Sequence, residues 1–503
     1  MIIGISEHAR RTPTKPALIL GDDVRTFAQL DERTTRLAHA LEARGIGPDD
    51  RVAVMLPNCI EFFEVWAAAG KLAASVVLVN WHLKRDELTY ILEDSGAKLL
   101  VAHVDLLEYA EPAAQATGCA LLLVGRGDAY EAAVAAGAPE PAIELVALQS
   151  PIFYTSGTTG RPKGVVHGRP DPEKVSQMTA GQIMLWSWTS DDVYIVTGPA
   201  YHAGPGGWAM SALAIGATTV ILPSFDAREW FRLVARHGVT CTFAVPSHFI
   251  RMLEVPEEER RRYDLSSLRL IVHAGAPCPV PVKYRIIEAL APCEIAELYG
   301  MSEGGATRIS MAEWLARPGS VGTPWPGVEV RILDELGDEV PVGEPGLIYV
   351  LPPGGMRFHY HDDDEKTASA WRDNAFTVGD VGYLDADGYL FLTDRAADMV
   401  IRGGVNIYPR EIEEVLYTHP AVVDCAVFGV PDDRLGEQLM AVVEARDAVT
   451  PAELRDFCRA RLADFKVPAR FELVDQLPRQ PNGKVLKRVL REQHWTDRPT
   501  GIT

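Results

Sequence analysis

The residues from Tyr154 to Val165, YTSGTTGRPKGV, combine three glycines, four aliphatic hydroxyl side chains, an arginine and a lysine. Glycine lets successive backbone amides converge on an anion, and hydroxyl groups add further donors. Lys163 supplies a positive charge for a phosphate oxygen. Because Pro162 precedes this lysine and Gly164 follows it, the segment does not match the P-loop pattern GxxxxGK[ST]. The composition favours a phosphate-binding loop, with a solvated Ser/Thr/Gly turn as the open alternative.

A second candidate is the segment ELYGMSEGG, residues 297–305. Its portion Gly300–Gly304 fits the G-x-S-x-G pattern of a hydrolase nucleophile elbow, which needs a helix directly after the serine. Two adjacent glycines make the residues after Ser302 a poor helix start. In the alternative interpretation, Ser302 binds a phosphate and Glu303 a metal ion, since Mg²⁺ prefers a carboxylate together with phosphate oxygens. Both interpretations are open at this point.

Two further segments place single charged residues next to turn-forming residues. In VGDVGYLDADGYLFLTDRAAD, Asp380 follows a glycine and could accept hydrogen bonds from a ribose diol, while Arg395 could donate them. Tight Asp-Gly turns are the alternative, and they explain Asp387 but not Asp380. In LPRQPNGKVLKR, residues 477–488, a turn presents Lys484 at its tip. A solvated basic face is the better explanation of any lone lysine.

The histidines and cysteines do not have the spacing of a metal site. His359 and His361 lack acidic or Cys partners at ligand spacing, which favours a strand face. His202 lies in AYHAGPGG after a strand pattern, where an isolated histidine is usually structural. The seven cysteines are scattered and form no CxxC pair, which indicates a reducing compartment and no zinc site.

The overall composition limits the class of partner. The chain has 503 residues, of which 47% are hydrophobic and 23% charged, so we expect a globular protein of two or more domains. Its formal net charge of -20 argues against nucleic acid or an anionic membrane as the main partner, since both attract Lys and Arg. Neither a signal-peptide core nor an apolar run of membrane-span length is found. We therefore expect a cytoplasmic protein with no transmembrane segment.

The elements that position these residues alternate between strand and helix up to about residue 350. The predicted buried strands are 51–57, 97–103, 192–199, 217–223, 239–246 and 268–275. Helix-length segments separate most of them, which predicts parallel strands with crossover helices, and ligands bind such folds beyond the carboxyl ends of the strands. The candidate site loops that follow strand patterns are 154–165, 199–207, 273–279 and 299–305. Asn58 is predicted to cap the helix after the first of these strands.

The pattern changes after about residue 320. Residues 329–350 alternate apolar and polar residues around turn signals, which predicts an antiparallel hairpin. Beyond about residue 399 we expect a smaller α+β unit of normal domain size. Its segment 450–462 opens with Thr450, a proline and Glu453, which predicts a capping box with proline at the first helical position.

In order and spacing, these motifs resemble those of the adenylate-forming enzymes, which include acyl-CoA synthetases, adenylation domains of peptide synthetases and luciferases. The resemblance covers nearly the whole chain. Its motifs are YTSGTTGRPKGV, YGMSE, VGDVGYLD, DRAADMVIRGGVNIYPREIE and the Lys484 turn. The implied fold is α/β, with a large multi-layer N-terminal domain of parallel sheets and a β-barrel-like portion, and a small mobile α+β C-terminal domain. The implied bounds are 1–394, a hinge at 395–398, and 399–503.

The resemblance implies a role for each matching residue. Lys163 matches the lysine beside the β- and γ-phosphates of ATP, and Tyr299 matches the aromatic residue that stacks on adenine. Asp380 and Arg395 match the ribose-binding pair. The implied ATP- and AMP-binding residues are Thr155, Ser156, Gly157, Thr158, Thr159, Gly160, Gly275, Ala276, Pro277, Tyr299, Gly300, Met301, Asp380 and Arg395.

Catalytic roles are implied by the same resemblance. Lys484 matches the lysine that contacts the substrate carboxylate and the α-phosphate, and Ser302 stands where the family mostly has threonine. Glu303, together with Thr158, matches the Mg²⁺ site, and Lys163 completes the implied catalytic set. The other implied residues are the hinge Asp398, the CoA-channel residues Arg402, Gly403 and Gly404, and the acyl-pocket residues His202, Trp208 and Gly304.

The implied reaction joins a carboxylic acid to coenzyme A with ATP and Mg²⁺. An acyl-adenylate and pyrophosphate form first, and a thiol then displaces AMP. Positive charge from Lys163, Mg²⁺ and Lys484 offsets the repulsion between two anions. The small domain must rotate about Asp398 between the steps, because Lys484 would block the thiol. The chain departs from the family in DRAAD, which lacks the lysine common before the hinge, and at Arg402, where many relatives have Ser or Lys.

Three alternatives are open: an adenylation enzyme that loads a carrier protein, a serine hydrolase using Ser302, and a nucleotide-binding regulator without turnover. The chain ends about where the second domain should end, so no fused carrier is expected, and GGVNIYPREIEEVL is more similar to the CoA-ligase version. Around the expected pocket, Trp208, Met210 and residues 304–306 offer no cation for a second carboxylate and leave room for a bulky acid. We expect an apolar monocarboxylate of fatty-acid or steroid side-chain type, and a role in lipid metabolism. The sequence does not decide between a monomer and a homodimer.

Overall fold

A computed structural model of the protein describes most of the chain. The described residues are 4–125, 127, 129–139, 150–155, 162–168, 181, 183–334, 336–353, 356–395, 398–402, 405–432, 434–481 and 483–495. For residues 155, 394, 395 and 406 only the backbone is described. Within these ranges, no helix combines the length and the apolar character needed to cross a membrane.

Helices and strands alternate through the first half of the chain, and strands dominate the second. The helices are α1 (Ile5–Arg11), α2 (Phe27–Glu42), α3 (Ile60–Lys71), α4 (Arg85–Ser95), α5 (Leu107–Thr117), α6 (Ala129–Ala136), α7 (Ala203–Ala214), α8 (Ala227–His237), α9 (Pro246–Glu254), α10 (Glu257–Arg260), α11 (Val280–Ala289), α12 (Met311–Ala316), α13 (Asp364–Ala370), α14 (Pro409–Tyr417), α15 (Pro451–Arg459) and α16 (Lys487–Glu492). The strands are β1 (Pro16–Leu20), β2 (Asp23–Thr26), β3 (Arg51–Met55), β4 (Ser75–Leu78), β5 (Leu99–His103), β6 (Ala120–Val124), β7 (Ile152–Thr155), β8 (Lys163–His167), β9 (Val193–Val196), β10 (Thr218–Ile221), β11 (Cys241–Ala244), β12 (Leu270–His273), β13 (Glu294–Met301), β14 (Gly304–Ile309), β15 (Ser320–Pro324), β16 (Glu329–Leu333), β17 (Gly346–Leu351), β18 (Phe358–Tyr360), β19 (Trp371–Arg372), β20 (Ala375–Phe376), β21 (Asp380–Leu384), β22 (Leu390–Arg395), β23 (Val400–Arg402), β24 (Val405–Ile407), β25 (Val422–Asp432), β26 (Gly436–Ala445) and β27 (Arg470–Val474).

The first of two compact units comprises Met1–Ala244, Glu259–Ile271 and Met356–Ser369. One of its sheets has the order β6-β5-β3-β4-β7-β8-β18, in which the first five strands are parallel and the last two antiparallel. Its other strands follow the order β11-β9-β10-β1-β2 and are parallel except for the β1–β2 pair. Because helices connect most of the parallel strands, the predicted strand–helix alternation is confirmed. Residues Phe358–Tyr360 of the FHYH segment form β18, so His359 lies on a strand as predicted, whereas His361 follows the strand.

Asn58 does not cap α3, contrary to the prediction. Cys59 is the N-cap residue and makes no side-chain cap hydrogen bond. Asn58 is buried instead, and its Nδ2 donates to the carbonyl oxygens of Gly198 at 3.0 Å and Leu222 at 2.9 Å. Its Oδ1 accepts from the Ala200 amide at 2.8 Å. The side chain therefore ties together the segments after β9 and β10, and these distant partners compete successfully with the local cap.

The second unit comprises Val245–Glu258, Val272–Gly355 and Ala370–Thr503. Its antiparallel strands follow the order β19-β20-β17-β21-β22-β15-β14-β13, and β16 pairs with β17. The β16–β17 pair confirms the predicted hairpin, and this antiparallel portion corresponds to the barrel-like part of the predicted fold. After residue 399, strands in the order β24-β23-β26-β25, with β27 parallel to β26, form a separate sheet packed by helices.

The helix α15 in this part of the chain begins as predicted. Thr450 is its N-cap residue, and the Thr450 Oγ1 accepts from the Glu453 amide at 3.2 Å. The Glu453 carboxylate in turn accepts from the Thr450 amide at 2.7 Å, which completes the capping box. The sequence predicted both the smaller α+β sheet and this helix, because patterns within short stretches of the chain indicate both.

Candidate functional site

Thr155 and Lys163 lie opposite each other at the two ends of the predicted phosphate loop. They pair across the antiparallel strands β7 and β8, so the loop leaves and returns at one point of the sheet. The predicted residues Ser156, Gly157, Thr158, Thr159 and Gly160 fall outside the described residues, as does the side chain of Thr155. The described strands therefore fix both ends of the loop, and its phosphate contacts stay a prediction.

Lys163 is paired with an acidic residue that sequence reasoning missed. Its Nζ forms an ion pair with the carboxylate of Asp363 in the same unit. Asp363 directly precedes α13, and its Oδ1 accepts from the Lys366 amide at 3.0 Å. The contact with Lys163 is the main reason that the pKa of Asp363 lies below its ordinary value. The only sequence signal was a run of three aspartates, which usually indicates a solvated turn.

His202 and Trp208 belong to the start of α7, directly after β9. His202 is the N-cap residue, and its Nε2 is buried with no hydrogen-bond partner in the described part of the chain. Burial lowers the pKa of His202 to about 4, so the imidazole is neutral near pH 7. The Trp208 ring packs at centroid distances of 5.0 to 5.4 Å against three other rings, those of Trp186, Trp188 and Phe243. The start of α7 is therefore packed among buried, uncharged aromatic rings.

In the second unit, the GMSEG segment forms the tip of a β-hairpin. Met301 at the end of β13 pairs with Gly304 at the start of β14, which leaves Ser302 and Glu303 as a two-residue turn. A nucleophile elbow requires a strand, a turn and then a helix. The serine-hydrolase interpretation of Ser302 is therefore wrong. The half-buried Glu303 offers hard carboxylate oxygens at the hairpin tip, and such a ligand fits Mg²⁺.

The two glycines after this turn, Gly304 and Gly305, lie against aromatic rings of the chain itself. A Cβ at Gly304 would lie 3.1 Å from the ring of Phe376. A Cβ at Gly305 would lie 2.8 Å from the ring of Trp325. Rings of the chain itself therefore occupy the space beside both glycines, and such partners are not visible in the local sequence.

Tyr299 and Asp380, both predicted to bind the nucleotide, are in direct contact. The Tyr299 side chain is 8% exposed, and its hydroxyl donates to Asp380 Oδ2 at 2.8 Å. Asp380 begins β21 and lies opposite Arg395 in the β21–β22 pair. The side chain of Arg395 lies outside the described residues. Backbone pairing thus places the predicted ribose-binding residues side by side, next to the predicted adenine-stacking ring.

The Lys484 turn is closed by its own backbone. The Gln480 amide donates to the Lys484 carbonyl at 2.7 Å, and the Gly483 amide donates to the Gln480 carbonyl at 2.7 Å. Gly483 has a φ of +86°, in the left-handed region that favours glycine. A Cβ at this position would lie 1.9 Å from Ser247 Oγ and 3.9 Å from Val245 Cγ2. The turn therefore lies against the start of α9.

Val245 also borders the predicted adenine loop, Gly275-Ala276-Pro277. Gly275 has a φ of +84°, and a Cβ built on it would lie 3.5 Å from Val245 Cγ1. One valine side chain therefore lies close to both the predicted adenine loop and the Lys484 turn. The second unit brings these two predicted parts of the site together, although more than two hundred residues separate them in the sequence.

The predicted hinge and CoA residues have partners within the second unit. Asp398 Oδ1 accepts from the Arg491 guanidinium at 2.8 Å. Arg402 donates to the Phe465 carbonyl at 2.5 Å. The two glycines after Arg402, Gly403 and Gly404, lie outside the described residues. Their functional roles stay predictions.

Near Tyr299 in the chain, the second unit contains a buried ion pair that the sequence did not indicate. Lys283 is 0% exposed, and its Nζ lies 2.5 Å from Oε2 of Glu297, which is 5% exposed. His273 Nε2 lies 3.5 Å from the same oxygen. Burial and the charge of Lys283 hold the pKa of His273 well below its ordinary value. Glu297 precedes Tyr299 by two residues, so this interior network supports the strand that carries the predicted adenine-stacking ring.

His248 makes the stability of the α9 start dependent on pH. Its Nδ1 accepts from the Val245 amide at 3.2 Å, which requires a neutral ring, and burial lowers the pKa of His248 to about 3. The ordinary value is 6.5, so below pH 6.5 the unfolded chain binds the proton and the folded chain does not. Stability therefore decreases as pH falls from about 6.5 toward 3.

We expect His248→Asn, which keeps an acceptor at this position but cannot titrate, to weaken that dependence. Between pH 6.5 and pH 4.5 the free energy of unfolding should fall less steeply in the variant than in the parent chain. The two slopes should differ by about 1.4 kcal/mol per pH unit. Urea unfolding across this pH range measures both slopes. Identical slopes would show that His248 is protonated in the folded chain.

Comparisons with known proteins agree along the whole chain. Residues 5–360 match the family model of the AMP-binding enzymes, and residues 411–484 match the AMP-binding enzyme C-terminal domain. A fatty acid–[acyl-carrier-protein] ligase of Streptomyces coeruleorubidus is 34% identical over 98% of this chain and 96% of its own. A feruloyl-CoA synthase of an Amycolatopsis species is 37% identical over 97% of each chain. The structure of o-succinylbenzoate CoA synthetase from Bacillus subtilis, in complex with its acyl-adenylate intermediate, has a TM-score of 0.85 at 28% identity, covering 100% of this chain and 99% of the other.

Proposed function

This chain belongs to the family of AMP-binding enzymes, and on that premise we propose that it ligates an apolar monocarboxylic acid to coenzyme A. It is an adenylate-forming acid–thiol ligase that works through an acyl-adenylate. Its substrates are the acid, ATP and CoA, and Mg²⁺ is its metal cofactor. All seven cysteines are free, which supports the proposal that it works in the reducing cytoplasm.

The observation that carries the proposal is the closeness of Val245 to two turns that are distant in the sequence. The side chain lies beside Gly275 of the predicted adenine loop and beside Gly483, the residue before Lys484. An enzyme that joins a carboxylate to the α-phosphate of ATP needs a cation close to the nucleotide. The position of the Lys484 turn beside the adenine loop supports that role for Lys484.

In the first step, a carboxylate oxygen of the acid bonds to the α-phosphorus of ATP. The bond from that phosphorus to the pyrophosphate oxygen breaks, and pyrophosphate leaves with the bonding electrons. Lys484 neutralises the carboxylate and the α-phosphate, and Lys163 neutralises the outer phosphates. The Lys163 ammonium group has three donors, so it can bind a phosphate oxygen in addition to the Asp363 carboxylate. Glu303 and Thr158 would hold Mg²⁺, which supplies further positive charge.

In the second step, the thiolate sulfur bonds to the acyl carbon, and the bond from that carbon to the AMP oxygen breaks. We propose the domain bounds 1–394 and 399–503 with a hinge at 395–398, so that the small domain withdraws Lys484 before the thiol enters. Asp398 is held by Arg491 of α16, within the predicted small domain. Rotation about residues near Asp398 would then move α16 and the Lys484 turn together.

Coenzyme A is the proposed acceptor, and a carrier protein is the second candidate. The segment GGVNIYPREIEEVL is similar to that of CoA ligases, and Arg402 adds a cation beside the predicted channel for the CoA phosphates. The carrier-protein candidate is favoured by the relative from Streptomyces coeruleorubidus, whose name specifies an acyl-carrier-protein ligase. Either acceptor supplies a thiol, so the chemistry of both steps is the same.

The aromatic cluster around Trp208 at the start of α7 supports an apolar acid. The rings that surround Trp208 are uncharged, and His202 is held neutral by burial. A second carboxylate on the acid would lose its hydration against these rings, and this desolvation would oppose binding. The proposed acids are therefore monocarboxylates of the fatty-acid or steroid side-chain type, for a role in lipid metabolism.

Pyrophosphate release over a panel of acids tests the proposal. We expect ATP-dependent release with at least one apolar monocarboxylate, and thioester formation when CoA is added. The panel contains medium- and long-chain fatty acids, an aryl acid, a steroid side-chain acid and a dicarboxylate. Parallel reactions contain CoA, an acyl carrier protein, or neither. No release with any acid would disprove the ligase, and a thioester formed on the carrier but never on CoA would establish the second candidate.

A further inference from the structure

The helix α14 supplies a cap for α11, a helix that lies more than one hundred residues earlier in the chain. Pro279 is the N-cap residue of α11 and makes no side-chain cap hydrogen bond, and the first turn contains no acidic residue. The Val280 amide therefore needs an acceptor from elsewhere. Glu414 of α14 provides it, because its Oε2 accepts from this amide at 3.0 Å. A carboxylate at this position also faces the positive end of the helix dipole.

Arg410 attaches the same face of α14 to a second point. One of its guanidinium nitrogens donates to the Leu392 carbonyl in β22 at 2.8 Å. Its Nε lies 3.8 Å from Glu414, one helical turn away. The two side chains are only 13% and 27% exposed. Both anchor points, Val280 and Leu392, precede the predicted hinge, so these contacts join the predicted small domain to the predicted large one.

The contact of Glu414 with α11 suits an arrangement that forms and separates. Burial raises the pKa of Glu414, while Arg410 and the Val280 amide act in the opposite direction. When α14 moves away, the carboxylate regains water and the Val280 amide loses its acceptor. The cap is therefore specific to the arrangement in which α14 is docked.

The docked α14 is linked to the Lys484 turn through the small domain itself. Glu413, adjacent to the capping residue, forms an ion pair of 2.7 Å with Lys487. Lys487 begins α16, three residues after Lys484. The side chain of Leu477, at the start of the turn segment, packs in a hydrophobic cluster with residues of β25 and β26. Displacement of α14 would therefore displace the Lys484 turn.

We propose that Glu414 is a positioning residue for adenylation, which holds the Lys484 turn beside the adenine loop by capping α11. The inference rests on the proposed function. The proposal predicts different effects on the two half-reactions, because thioester formation requires Lys484 to leave and should not need the cap. Loss of Glu414 should therefore affect one half-reaction and not the other.

Glu414→Ala tests this with the two half-reactions measured separately. We expect pyrophosphate release to slow by about tenfold or more, while conversion of a supplied acyl-adenylate to thioester changes by less than about twofold. Glu414→Gln keeps an acceptor oxygen and should retain most of the adenylation rate. Glu411→Gln is the matched control on α14, since Glu411 pairs with Lys466 within the small domain. It should leave both half-reactions unchanged.

Val280→Pro removes the donor from the other side of the contact. Proline is well tolerated at the first helical position, so α11 should still form. We expect the same selective loss as with Glu414→Ala, and the double variant should be no worse than either single variant. Additive losses, equal losses in both half-reactions, or no loss would each overturn the proposal.

A distance measurement separates this proposal from the proposed function. Spin labels are placed at the exposed positions Glu288 on α11 and Glu411 on α14, with the half-buried Cys59 replaced by serine. Without substrates, the parent chain should show a short and narrow distance distribution, and Glu414→Ala a longer or broader one. If the parent chain makes no acyl-adenylate but Glu414→Ala still changes the distance distribution, the proposed function is wrong and the cap is supported. An unchanged distribution in Glu414→Ala would refute the cap.

Discussion

Lys484→Ala should lower the rate of acyl-adenylate formation by about a hundredfold or more, whereas a supplied acyl-adenylate should still become a thioester. A preorganised cation that faces developing charge typically contributes a factor of this size. The turn that carries Lys484 lies beside Val245, which also borders the predicted adenine loop. The measurement is pyrophosphate release with the best acid of the panel, followed by thioester formation from the synthetic adenylate.

Gly483→Ala is a second variant for the same prediction, and it leaves the lysine in place. The left-handed φ and the contact with Ser247 Oγ both exclude a Cβ, so the turn must shift. We expect the same selective loss of adenylation. Lys98→Ala serves as the control, because Lys98 pairs with Asp50 on the exposed surface of the first unit. If Lys484→Ala slowed both half-reactions equally, the withdrawal of Lys484 between the steps would be refuted.

Patterns within short stretches of the sequence predicted those strands, caps and hairpins that form through interactions between residues close in the chain. Buried apolar runs predicted β3, β5, β9, β10, β11 and β12, because such strands lie in the interior of a parallel sheet. The capping box at Thr450 and the β16–β17 hairpin are equally local. Each of these signals lies within about a dozen residues, so one sequence suffices to find it.

Long-range partners explain where the sequence predictions failed. Asn58 was assigned a local cap, but its amide bonds to backbone groups near β9 and β10. A Cβ on Gly304 would meet the ring of Phe376, a neighbour that no local pattern identifies. Asp363 and Glu414 each stand next to other acidic residues, so the local sequence does not single them out. Only the fold distinguishes them, by placing one on Lys163 and the other on α11.

The site itself was predictable mainly through its resemblance to a family. Considered alone, Lys484 was better explained as part of a solvated face, and the GMSEG segment also fitted a hydrolase. The structure separates the two interpretations of the GMSEG segment. The two-residue turn at Ser302 excludes the elbow, and the Tyr299–Asp380 hydrogen bond joins two motifs that the sequence could only order.

Lys283→Met should destabilise the protein by about 3–5 kcal/mol, which is the usual cost of removing one partner from a buried ion pair. Glu297 would remain in the interior with no counter-ion, beside an imidazole that burial keeps neutral. Methionine fills a similar volume, so the loss would reflect the unpaired charge more than a cavity. Urea unfolding at pH 7, followed by tryptophan fluorescence, measures the change in the free energy of unfolding.

The double variant Lys283→Met with Glu297→Leu separates charge from packing. Replacing both members of a buried ion pair with apolar residues is often neutral or stabilising, so most of the lost stability should return. Lys466→Met, which breaks the more exposed pair with Glu411, should cost less than about 1 kcal/mol. If the double variant were as unstable as Lys283→Met alone, the lysine would stabilise this interior through packing and not through its charge. Its packing includes a contact with the Trp314 ring, whose centroid lies 4.6 Å from the Lys283 Nζ. Glu297 and Tyr299 both lie on β13. Nucleotide binding by the stable double variant would therefore show whether this strand keeps its position without the ion pair.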